Sequence, residues 1–116
     1  MYFENTLPNG HVLDYGFMEC FDAFDESVKK GENDITVISK VFEDLFNQAP
    51  DDIHRLTDLA CVVNLRCWYW FDVGDSTMSR MYSELYYKVN DHILGTGYEN
   101  GTFTDEDVSY YARITD

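Results

Sequence analysis

Apolar positions recur along most of the chain with the period of an α-helix, and they divide it into five helical segments. Phe17, Phe21, Phe24 and Val28 stand at i, i+4, i+7 and i+11 and predict a first helix over about 15–30. Lys29 and Lys30 fall in its last turn, where cations suit the helix dipole, and Gly31 is a natural stop. A second helix is capped by Asn33 or Asp34 and ends before Pro50, with Ile35, Ile38, Phe42 and Leu45 inward and Glu43 and Asp44 outward. The third, over about 51–72, opens with Asp51 and Asp52 in its first turn. Ile53, Leu56, Ala60, Val63, Cys67 and Trp70 are its core positions, and Leu59, Val62 and Phe71 broaden the stripe. So wide an apolar surface marks a central helix that touches several others.

After the break at "DVGDST", Met78, Met81, Leu85, Val89 and Ile93 predict a fourth helix over about 76–94, with Gly95 as its stop. "GTGYENG" reads as a loop. Thr104 and Asp107 then have the spacing of a capping box for a short last helix, in which Val108, Tyr111 and Ala112 pack. Only the N-terminal segment is strand-like: the turn signal Pro8-Asn9-Gly10 is flanked by Tyr2, Phe3, Leu7, Val12 and Leu13. The expected fold is mainly α, a four- to five-helix bundle around a single core with a short N-terminal hairpin or extended arm. The whole chain, 1–116, is read as a single domain.

Composition narrows the function. The 116 residues are 45% hydrophobic and 16% aromatic, which suits a packed domain rather than an acidic tail. Twenty-two acids against 8 bases leave a net charge of −14, and 12 of those acids lie in the first 52 residues. A field of that sign repels nucleic acid and anionic membranes and attracts basic proteins. No apolar run approaches the roughly 20 residues of a membrane helix, and "MYFENTLPNG" lacks the pattern of a signal peptide. Cys20, Cys61 and Cys67 cannot all pair and form no CxxC, so a reducing, cytoplasmic location is expected.

Catalytic and metal chemistry find little support in the spacing. His54 and Cys61 are seven residues apart, about 10 Å along a helix, too far for direct proton transfer. Cys61 and Cys67 point away from each other and read as small core residues. His54 and Asp58 share a face, but no third ligand accompanies them. "TGYENGTFTDED" has Gly101 and Asp107 where an EF-hand loop has its glycine and last carboxylate, yet Thr96 and Tyr98 stand where ligands belong. A turn followed by a helix cap explains that stretch better. No catalytic residue, cofactor or metal is therefore expected.

Two surfaces remain as candidates. "CWYWF" and "LYY" place rings on more than one helix face, so some of Trp68, Tyr69, Tyr82 and Tyr86 are expected at the surface, where such rings anchor protein interfaces. The other candidate is the stripe Glu19, Asp22, Asp25 and Glu26 on the first helix. Four carboxylates over about 10 Å approach the charge spacing of a DNA strand, about one per 3.4 Å. Glu43, Asp44, Asp51 and Asp52 extend it.

In size, acidity and helical content the chain resembles small phage-encoded inhibitors, the DNA-mimicking anti-restriction proteins and the acidic anti-CRISPR proteins. The resemblance implies a non-catalytic inhibitor acting in the host cytoplasm on a basic nucleic-acid-handling protein, a nuclease or its complex, without binding nucleic acid or membrane itself. The alternative is a helical adaptor or antitoxin-like module that works through Trp68 and Tyr69. Exposed rings also leave room for a homodimer.

Overall fold

The computed structural model describes residues 6–31 and 36–115. They form five α-helices: α1 (Tyr15–Lys29), α2 (Val37–Gln48), α3 (Ile53–Asp72), α4 (Ser76–Asp91) and α5 (Asp105–Thr115), with a π-helical turn, His92–Gly97, continuing α4. The mainly α architecture is as the periodicity predicts. The caps proposed at Asn33 and Asp34, and the core position Ile35, lie outside the described residues, as do Tyr2 and Phe3.

Aspartate side chains start three of the helices. Asp14 accepts from the backbone N–H of Phe17, Asp52 from those of His54 and Arg55, and Asp75 from that of Met78. Each occupies a first-turn donor that has no partner inside the helix. At α5 the capping box forms as spaced: Thr104 N–H donates to Asp107 Oδ2 at 3.1 Å and Asp107 N–H to Thr104 Oγ1 at 3.2 Å. Part of the acidic excess is thus spent on starting helices.

α3 is the central element, packed against α1, α4 and α5. Leu56, Leu59, Ala60, Val62 and Val63 on α3, Phe17, Met18 and Phe21 on α1, and Leu85 and Val89 on α4 belong to one continuous core cluster. The N-terminal segment folds back in a tight turn, with Leu7 N–H donating to the His11 carbonyl at 2.8 Å and an antiparallel β-bridge between Thr6 and Val12. It is tied to α3 through Asp58, which accepts from His11 Nε2 at 2.6 Å and from the Asp14 N–H at 3.1 Å.

Two expectations fail at the end of α4. Gly95 does not stop the helix, and "GTGYENG" is not a free loop: the π-helical turn carries helical backbone through to Glu99. Tertiary packing decides this. Gly97 lies directly under the Phe103 ring, where a Cβ would stand 2.4 Å from two ring carbons and 2.6 Å from the His92 carbonyl oxygen. The widened turn also aims His92 inward, where Nε2–H donates to the Pro50 carbonyl at 2.7 Å between the rings of Phe46 and Phe103. Phe71 and Ala112, both expected to pack inward, are exposed. Of the four rings among which some were expected at the surface, Tyr82 is fully buried.

Candidate functional site

The carboxylate stripe of α1 is broken. Glu19 and Glu26 are exposed, but Asp22 is 7% and Asp25 0% exposed. The correction follows from helical geometry. At 100° per residue, Asp25 falls between Phe21 and Met18, about 40° from one and about 20° from the other, inside the apolar arc, and Asp22 borders it. The two exposed carboxylates left on that face stand about 10 Å apart along the axis, a charge spacing roughly threefold wider than that of a DNA strand.

What receives the buried acids is Arg66, itself 0% exposed. Its Nη2 donates to Asp22 Oδ1 at 2.5 Å and to the Met18 carbonyl at 3.0 Å, and Nη1 to the Val62 carbonyl at 3.3 Å. Arg66 Nε lies 3.7 Å from Asp25 Oδ2. Asp25 Oδ1 accepts from Tyr82 Oη at 2.7 Å and from Trp70 Nε1 at 3.2 Å. One carboxylate of α1 is therefore bonded to both α3 and α4. Burial pushes its carboxyl from 3.8 up to about 6, against the opposing pull of the Tyr82 hydrogen bond, the Arg66 charge and the Trp70 hydrogen bond. Arg66, Trp70 and Tyr82 were missed as a group in the sequence. Arg66 carried a readable signal: it stands between Leu59 and Val62 on the apolar arc of α3, a cation where a core residue belongs.

The remaining predicted acids are at the surface. Glu43 is exposed and lies 3.6 Å from Lys88 Nζ; Asp44 and Asp51 are exposed; Asp52 is exposed while capping α3. These groups lie on α2 and the α2–α3 connection, whereas Glu19 and Glu26 lie on α1.

The aromatic expectation meets a defined surface. Trp68 is 59% and Phe71 63% exposed, one turn apart on α3, with ring centroids 5.9 Å apart in an edge-to-face arrangement. Val73, the C-cap residue of α3, is also exposed. Tyr69 is half-buried, its ring against Trp70 and beneath the Lys29 ammonium at 5.1 Å. Phe71 is outside because of what covers α3. Ile114 and Thr115 of α5 face Asn64 and Leu65 across a cleft of about 360 Å³, and Trp68 and Phe71 occupy the turn beyond.

The chain holds this corner firmly. Gly74, at φ +86°, takes the left-handed conformation that only glycine adopts without strain. Asp75 N–H then reaches back to the Trp70 carbonyl at 2.9 Å and Gly74 N–H to the Phe71 carbonyl at 3.1 Å, a Schellman motif that closes α3. The same Asp75 starts α4 through its side chain. Trp68, Phe71 and Val73 thus sit on backbone fixed from both sides.

Other groups with chemical potential are engaged elsewhere. Burial, with Asp58 adding to it, pushes the Cys61 thiol up to about 12, so it is protonated at neutral pH. His54 packs edge-on against Tyr110 at 4.6 Å, and Asp58 holds the N-terminal turn. Among the described residues no three His, Cys, Asp or Glu side chains are grouped to hold a metal ion, and no helix is long and apolar enough to cross a membrane. Comparison of the chain with protein-family models, curated proteins and solved structures finds no match.

Proposed function

We propose that this protein is a non-catalytic interaction module that docks on a basic partner protein through the α3–α4 corner, with Trp68 and Phe71 as the anchor. The observation that carries this reading is the pair of large rings, both more than half exposed, on a turn held by Gly74 and Asp75. Ordering side chains and backbone on association costs free energy, and an anchor already held in place avoids most of that cost. Trp is among the residues most enriched where binding energy concentrates.

The acids set the partner's sign. Glu19, Glu26, Asp44, Asp51 and Asp72 are exposed on a chain of net charge −14, so the complementary surface is an apolar pocket rimmed by Lys and Arg. Proteins that handle nucleic acid carry such rims, and a module seated there in the cytoplasm inhibits by occupying the site. Compared with pure charge mimicry, the broken stripe on α1 moves the weight from carboxylates to rings.

The test compares the wild type with Trp68→Ala/Phe71→Ala and Glu19→Lys/Glu26→Lys in affinity capture from the host cell, with salt raised to about 1 M, where charges are screened beyond about 3 Å. Under this proposal a basic partner stays bound to the wild type at high salt and is lost with the ring variant. Loss with the charge variant and displacement by duplex DNA, with the ring variant unaffected, would instead establish charge mimicry. Asp22 does not belong in that test: lysine there would set a second cation against buried Arg66 and unfold the pocket.

A further inference from the structure

Among the described residues, the buried pocket between α1, α3 and α4 contains two carboxylates and one guanidinium, and these charges do not balance. The groups described there that act on Asp25 come from every helix of the pocket: Asp22 from α1, Arg66 from α3 and Tyr82 from α4, with the Trp70 indole also from α3. Arg66 is committed to Asp22 by its shortest contact and reaches Asp25 only at 3.7 Å. Asp25 Oδ1 has two donors, whereas Asp25 Oδ2 and Asp22 Oδ2 are buried with no hydrogen bond among the described residues. A buried acceptor without a donor is costly, and an ionised one more so.

We propose that Asp25 is a buried proton-binding site that latches α1 onto α3 and α4. A proton from solvent goes to Oδ2, the oxygen that lacks a donor, while Oδ1 keeps its bonds from Tyr82 and Trp70. Asp22 and Arg66 are then left as a balanced pair. When the proton leaves, the pocket holds one negative charge in excess, at the contact that joins α1 to two other helices, and α1 opens more readily. This inference stands independently of the docking surface.

The direction with pH follows from the burial of Asp25, which places its carboxyl at about 6 in the folded protein against 3.8 when exposed. Between those values the folded chain holds a proton that the open form releases. The latch therefore tightens as pH falls through about 6, reaches its full strength near 3.8, and is weakest at neutral pH and above.

The experiment is native-state hydrogen exchange, read as protection factors of amides in α1 (residues 21–28) relative to those in α4 (residues 85–89). From about pH 7.5 to about pH 5 the wild-type ratio rises about tenfold, the factor those two values give. Asp25→Asn, which keeps an acceptor for Tyr82 and Trp70 but cannot ionise, abolishes the change. A wild-type ratio that moves by less than about twofold, or a tenfold change that persists in the variant, overturns the latch. Should the variant not fold, the Asp25 carboxyl carbon is titrated by NMR in the wild type. A midpoint near 6, with the α1 amides moving in step, supports the proposal. A midpoint below about 4.5, in the ordinary aspartate range, overturns it.

Discussion

The α1–α3–α4 pocket and the α3–α4 corner invert the usual distribution of side chains. In the pocket, Asp22, Asp25 and Arg66 are buried; at the corner, Trp68 and Phe71 face solvent. The two regions meet on α3, where Trp70 binds Asp25 and Trp68, two residues earlier, points out. Their costs differ in kind. The pocket is paid for in desolvation and is held together by mutual dependence, since each charge is tolerable only while its partners are present. The corner gives up the burial of two rings, which is a cost to stability only if nothing ever binds there.

The contrast breaks most sharply at Arg66. Arg66→Met leaves two buried carboxylates without a cation and is expected to lower stability by about 3–5 kcal/mol in urea unfolding at neutral pH. Adding Asp22→Asn and Asp25→Asn to it should recover much of the loss, because the remaining groups are neutral. A loss below about 1 kcal/mol for the single change would mean that the pocket is open to water rather than closed.

A smaller effect is expected at Tyr82. Tyr82→Phe removes the 2.7 Å donor to Asp25 and leaves Trp70 as the remaining donor to the same oxygen, costing about 1–3 kcal/mol as a hydrogen bond to a buried carboxylate is lost. The hydroxyl favours the ionised carboxylate, so its removal should also move the Asp25 titration upward, away from the exposed value. An unchanged midpoint would show that this hydrogen bond does not act on the carboxylate.

The smallest effect on folding belongs to the corner. Trp68→Ala should change stability by no more than about 0.5 kcal/mol, since it removes a ring already in solvent. If it anchors a partner, the same change should weaken binding by about 2 kcal/mol or more, roughly 30-fold, measured by calorimetry once the partner is in hand. A large loss of stability instead would make Trp68 a structural residue and remove the basis for the docking surface.

Much of the fold was legible. α1 and the capping box at Thr104 and Asp107 fell where the pattern placed them, because a 3.6-residue period and a cap are properties of a few neighbouring residues. The site was half legible. Exposed rings in "CWYWF" followed from crowding on one helix, but Phe71 was assigned to the core because the sequence does not show how far α5 covers α3. The acidic stripe was misread because Glu19, Asp22, Asp25 and Glu26 look alike in composition, while only Asp25 falls well inside the apolar arc.

By itself the sequence determined the helices, the capping box of α5, the central place of α3 and the excess of negative charge. These depend on local backbone preference, the spacing of apolar residues and a sum over the chain. Only the tertiary structure decided which acids go inside and which rings stay out. A buried carboxylate needs its partners in place, and those of Asp22 and Asp25 come from Arg66, 44 residues away, and Tyr82, 57 residues away. The exposure of Trp68 and Phe71 likewise depends on where another helix lies. Burial of a charge is a property of the assembled pocket, and no stretch of chain carries it alone.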